Sequence, residues 1–339
     1  MNEAISFADF QEVGVNQESE RLPMRPTQGE MAIIKHNAQT GKLSLLLANG
    51  DTDPDVVKAK SISFATTLVY GFVKGSDDSG NTYMSSITNN PYFDIYKTGD
   101  NKSESLGISK KPYDVTEKSA TRQTRIFGVL RSVDGKNPMN NEIIAKHFEG
   151  KAVVPFLLDL PYSKVRLLID LIGRSWSRVI KTSIVTISGG MDDDLEYKIN
   201  SANYKATMYH PKFKVETDDE ALKKLASVAQ DFLHTCFEYS EDVKKHDEFI
   251  SELYRHNLCA PDVVNNLSDM GISNKNDIEN YFKDNNTDWN GLKNDLAEME
   301  GKPFVNKEIK EDPFKDNADD LIDSINEGLE DSLDDNLAF

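Results

Sequence analysis

Two groupings of residues in this sequence have the types and spacing to do chemistry. The first is Asp192, Asp193 and Asp194 in SGGMDDDLEY. Clustered carboxylates hold Mg²⁺ in metal-dependent nucleases, because a hard cation takes oxygen ligands. Adjacent residues of an extended chain point to opposite sides, so three in a row converge on one ion only if the loop folds back. The expectation is a solvated turn with no metal or cofactor, and a metal-dependent nuclease stands third among the functions considered.

The second grouping is basic and aromatic. Residues 92 to 131 interleave Tyr92, Phe93, Tyr96, Tyr113 and Phe127 with Lys97, Lys102, Lys110, Lys111, Lys118, Arg122, Arg125 and Arg131, and Arg174, Trp176 and Arg178 form a second short group. Binding single-stranded nucleic acid needs cations that follow the phosphates and π-faces on which unpaired bases stack, at roughly 1–3 kcal/mol per stack. A formal net charge of −18 argues against such a partner, since phosphate is recognised through Lys and Arg. The distribution reverses that argument. Between residues 101 and 190 fifteen Lys and Arg stand against eight acids, whereas from Asp316 to the end there are nine acids and no base. The expected strand-binding face is Tyr92, Tyr96, Lys110, Lys111, Lys118, Arg122, Arg125, Arg174, Trp176 and Arg178. The plain alternative is that the aromatics are core and the cations solvated surface. TEKSATRQTR, which has no large apolar residue, reads as a loop able to close over a strand.

Enzyme signatures are missing. The chain has no GxxxxGK[ST], no GxGxxG after a strand, no HExxH and no GxSxG, and its six His are scattered singly, so the expectation is not an enzyme. Cys236 and Cys259 lack metal-ligand spacing and read as buried reduced thiols. No stretch of about 18 apolar residues and no secretory leader is visible, so no membrane is expected and the cytoplasm is the default.

The elements that must position these residues follow from pattern. Residues 1–28 read as a flexible arm. MAIIKH, KLSLLLA, SISFATTLVYGFV, TYMSSI, YFDIYK, RIFGVLRSV and AVVPFLLDL are short β-type runs, with ANGDTDPD and KGSDDSGN as turns. A helix beginning at Ser163 interrupts them, and VIKTSIVTI and LEYKINSANYKATMYH then read as one hairpin. The fold class expected is α+β: a β-rich, OB-like barrel core over 29–215 with an inserted helix, a helical region over 216–300, and a linker with a disordered acidic tail over 301–339. In the helical region one amphipathic helix is expected through Phe237 and a second over 242–256. A further helix begins at Pro261, and two more fall around 276–283 and 288–299. These helices would pack on the core or mediate self-association, giving a homo-oligomer.

The tail repeats Leu321, Ile325, Leu329, Leu333 and Leu337 every four residues among acids and ends DDNLAF, the pattern of a narrow amphipathic helix formed on a partner. That ending resembles the carboxy-terminal tips of bacterial and bacteriophage single-stranded DNA-binding proteins, although Leu337-Ala338 stands where many bacterial members have Ile-Pro. The resemblance covers about the last twenty residues. It implies that Phe339 docks on replication or recombination proteins, with Asp334 and Asp335 as its acidic flank, and that the tail competes with DNA for the basic groove; Leu329, Leu333 and Leu337 are expected to meet the partner through the periodic stripe, which is more than such a tail requires. The expected function is therefore non-catalytic binding of single-stranded DNA in replication or recombination. A structural or assembly protein that docks a partner through its tail is the alternative.

Overall fold

The computed structural model describes residues 31–49, 52–76, 82–99, 102–111, 120–189, 196–201 and 204–300. In chain order the strands are β1 (Ala32–His36), β2 (Leu43–Asn49), β3 (Thr52–Ala59), β4 (Ser61–Ser76), β5 (Thr82–Ser85), β6 (Phe93–Gly99), β7 (Lys102–Ser109), β8 (Thr121–Val133), β9 (Pro155–Pro161), β10 (Ile184–Ser188), β11 (Glu196–Ser201), β12 (Tyr204–Tyr209) and β13 (Lys212–Glu216). The helices are α1 (Glu142–His147), α2 (Tyr162–Ile172), α3 (Trp176–Lys181), α4 (Asp219–Val228), α5 (Gln230–Arg255), α6 (Pro261–Asp269), α7 (Lys275–Asp284) and α8 (Trp289–Glu300). The class is α+β: one eleven-stranded sheet with helices on both faces, and a separate β11–β12 ribbon.

The sheet is organised by β4, a 16-residue run of β-branched and aromatic residues whose middle is buried on both faces, as happens when helices cover both sides. Antiparallel β8 follows it from Ile62↔Val133 to Lys74↔Thr121. Beyond β8 the order continues through β9, β1 and β2 to β3, with β1 and β9 parallel. On its other edge β4 divides the sheet. Ser61 to Ala65 pair with β10, which carries β13, and Lys74 to Ser76 pair with β5, followed by β6 and β7. The pairing of β4 with β8 shifts register between Thr66 and Leu68, opposite Gly128. There the two backbones approach so closely that a Cβ on Gly128 would lie 1.9 Å from the Ala65 carbonyl oxygen. Only glycine fits such an approach.

Alternation along the strands sorts the core in two. On one face Ile126, Phe156, Leu158, Leu160, Ile34 and Leu45 pack under Ile144 of α1, Val165 and Leu168 of α2 and Ile180 of α3. On the other, Leu68, Tyr70, Phe72, Phe127, Leu157 and Met31 meet Cys236, Tyr239 and Val243 of α5, and Ala65, Val129 and Ile184 meet Leu222 and Ala226 of α4. A third cluster is built from α5 to α8 and closes on the sheet through Tyr92 and Ile108. The helical region thus shares its apolar surface with the β-rich part.

Several expected elements stand elsewhere. β3 contains Asp53, Pro54 and Asp55 from the presumed turn. It is the last strand on its side, and a proline is tolerated there because the outward N–H has no ladder partner to lose. VIKTSIVTI is helical in its first three residues, and β10 pairs with β13 and β4, whereas LEYKINSANYKATMYH folds on itself as β11 and β12 with Glu196↔Tyr209. The inserted helix starts one residue before Ser163 with Pro161 as its N-cap, and ends at Gly173, whose φ of 85° is a glycine conformation. The break in the long helical stretch falls at Ala229, between α4 and α5; α5 then runs unbroken through 239–242. α6 begins at Pro261 as expected, and α7 opens with a capping box between Asn274 and Asp277.

Candidate nucleic-acid interface

β8 carries two of the expected cations, three residues apart, and odd spacing on a strand sends them to opposite faces. Arg125 pairs with Tyr70 in the ladder and lies on the α5 face, 4.7 Å above the Phe72 ring. It is committed there. Its Nε and Nη2 donate to the two carboxylate oxygens of Asp159 at 2.7 Å each, a bidentate pair across neighbouring strands. Arg131, also on that face, bonds Asp218 at 3.0 Å.

Arg122 pairs with Val73 and lies on the other face. Its guanidinium crosses the bare backbone of Gly71 and stands 5.7 Å from the centroid of the Phe93 ring. Any Cβ on Gly71 would come 3.0 Å from Nη2, so the glycine makes the resting place for this head. Surrounding protein desolvates the guanidinium and lowers its pKa, yet the side chain is open to solvent. Among the described residues no carboxylate forms an ion pair with it. On the same face Lys97 is half-buried beside Tyr83 in the β5–β6 ladder.

The second expected group shares this side of the sheet. α2 and α3 form an elbow through Gly173, and Trp176 lays its ring against the Phe156 core while Arg174 and Arg178 remain exposed. Lys181 at the end of α3 is half-buried, and its ammonium pKa is lowered by desolvation. Lys110 and Lys111 are exposed just past β7, where the Ser109 hydroxyl donates to the Lys111 carbonyl at 2.6 Å.

The two tyrosines serve differently. Tyr92 is 3 % exposed and stacks on Tyr254 of α5 at 4.0 Å, so its ring is a core contact. Tyr96 is half-buried, and burial beside Asp94, with which its hydroxyl bonds, raises its pKa. Lys118, the tail residues Leu329, Leu333, Asp334, Asp335, Leu337 and Phe339, and the acids Asp192 to Asp194 lie outside the described residues. Among the described residues no group of His, Cys, Asp and Glu has metal-site geometry.

A polar clamp holds α5 to the segment after β5, with no signal in the sequence because its halves are about 150 residues apart. Asp94, 3 % exposed, receives the Ser86 hydroxyl at 2.8 Å and stands 2.9 Å from His246 Nε2. The next residue of α5, Asp247, receives the Thr88 hydroxyl and, at 3.0 Å, the Asn89 N–H. Burial raises the Asp247 pKa against these bonds.

No protein-family model, curated protein or solved structure matches this chain. Among the described residues no helix is long and apolar enough to cross a membrane.

Proposed function

We propose that this chain is a non-catalytic single-stranded DNA-binding protein of replication or recombination, encoded by a bacteriophage and acting in the host cytoplasm. In this reading the strands around the Phe156 core serve as an OB-like platform. The strand of DNA runs over the face that carries Arg122, Lys97, Arg174 and Arg178, with Lys110 and Lys111 at its margin, and Lys118 adds a further cation in the sequence between β7 and β8. The acidic tail, through Phe339, recruits partner proteins and competes for the same cations. The observation that supports this best is Arg122: an exposed guanidinium seated over Gly71 beside the Phe93 ring, without an acidic partner among the described residues, in the segment that carries the chain's excess positive charge. Phosphate oxygens supply the missing acceptors.

The test uses the split of β8. Arg122→Ala and Arg125→Ala are compared in fluorescence anisotropy with a labelled single-stranded oligonucleotide at roughly 50 and 200 mM salt. Loss of one phosphate contact by Arg122→Ala lowers the salt slope by about 0.7. Arg125→Ala leaves the slope unchanged, because Arg125 is held by Asp159. Equal affinity and slope in wild type and Arg122→Ala would sink the proposal.

A further inference from the structure

A cleft of about 550 Å³ opens between α4 and the sheet on the α5 face. Its apolar lining includes Leu130, Met139, Val153, Leu225 and Val228, beside charged groups such as Glu220 and Lys224 of α4. Val228 is 48 % exposed, one of the large apolar side chains that the described fold leaves most open. Solvated clefts of this lining mark docking sites.

The start of β1 lies beside this cleft. β1 runs parallel to β9 with Ala32 opposite Phe156, so the first described residues of β1 lie within a few positions of Val153 and Val154, which form one wall. Met31 is already inserted between Leu157 and the Cys236–Tyr239 stretch of α5. Thirty residues precede it, and the first fifteen hold Ile5, Phe7, Phe10, Val13 and Val15. Phe10 stands 21 positions before Met31 in the sequence, and covalent linkage over about twenty residues sets a local concentration in the millimolar range.

We infer that the apolar stretch Ile5 to Val15 of the same molecule docks in the cleft between α4 and Val153–Val154. The tether decides the occupant: a second copy at micromolar concentration competes poorly with a segment rooted at the cleft wall. The tail is rooted beyond Glu300, at the other end of the helical region, and its periodic leucines alternate with acids at a density the arm lacks.

The test is hydrogen exchange on the full chain, wild type against Phe7→Asp/Phe10→Asp, which leaves every described core residue unchanged. Exchange over 221–228 and 152–154 should speed at least about fivefold in the variant and stay unchanged over β4 and β8. A labelled peptide of residues 1–16 should bind a chain lacking 1–28, and Val228→Asp in that chain should weaken binding at least about tenfold. Unchanged exchange in the arm variant, or a peptide that ignores Val228→Asp, overturns the inference. Protection that grows with protein concentration together with a doubled mass also overturns it, since the occupant is then a second copy.

Discussion

Gly128→Ala is the substitution whose cost is most directly set by the geometry. The added Cβ would sit 1.9 Å from the Ala65 carbonyl oxygen and 2.9 Å from the Phe156 ring, and such contacts do not occur under 3.0 Å. The strands must part by more than 1 Å at the register shift of β4 on β8. A ladder hydrogen bond stretched by that much is no longer a bond. Two buried bonds at about 1–1.5 kcal/mol each and overpacking of about 1–3 kcal/mol add to roughly 3–6 kcal/mol. Total stabilities run at about 5–15 kcal/mol, so the variant should be marginal or unfolded at 25 °C. Urea unfolding followed by near-ultraviolet circular dichroism measures this as a fall in midpoint at unchanged slope. A loss under about 1 kcal/mol would mean that β4 and β8 do not cross as described and would refute the reasoning.

Other outcomes follow from single groups. Burial and the neighbouring Lys164 and His210 push the His36 pKa down to about 4 from 6.5, and the His210 pKa is lowered too. The folded values lie below the unfolded ones, so the stability they contribute is full above pH 6.5 and is lost as pH falls towards 4; His36→Gln should flatten this stretch of the urea midpoint against pH. Burial raises the Cys236 thiol pKa and pushes Cys259 up to about 12. A thiol reagent at pH 8 should therefore leave both unmodified in the folded protein, with Cys236 reacting only at the rate of unfolding; rapid labelling of Cys236 would contradict its burial. Ending the chain at Lys315 removes nine acids and should tighten binding of a single-stranded oligonucleotide in low salt; equal affinity with and without the tail would exclude its competition with DNA.

The legible parts of the fold were those where one local rule decided the outcome. The long apolar run of β4, the alternation in β8 and Pro261 at the start of α6 were readable because each signal lies within its own element. β7 went unseen, since KSESLGIS reads as turn-like and forms a strand only by pairing with β6 and resting on α6, where the Ile108 N–H donates to the Cys259 carbonyl. β3 was hidden by Pro54, whose tolerance depends on an edge position that no local pattern reveals. In the candidate site, the separation of Arg122 from Arg125 was hidden because TEKSATRQTR reads as a loop, whereas Thr121 to Arg125 belong to β8, where strand parity sends the two apart. The burial of Tyr92 could not, because its cover is Tyr254, 162 positions later.

The reach of α5 sets the smallest piece of this protein that can be studied alone. At 26 residues it is a rod of about 39 Å, pressed on Leu68, Tyr70, Phe127 and Leu157 along one part and on the α6–α8 cluster along another. A chain cut after Glu216 would keep every described strand and still bare that sheet face to water. Such a fragment should collect in inclusion bodies, whereas one running from Gly29 to Glu300 keeps the face covered. The β-rich half, though it holds the candidate interface, is not a detachable binding module.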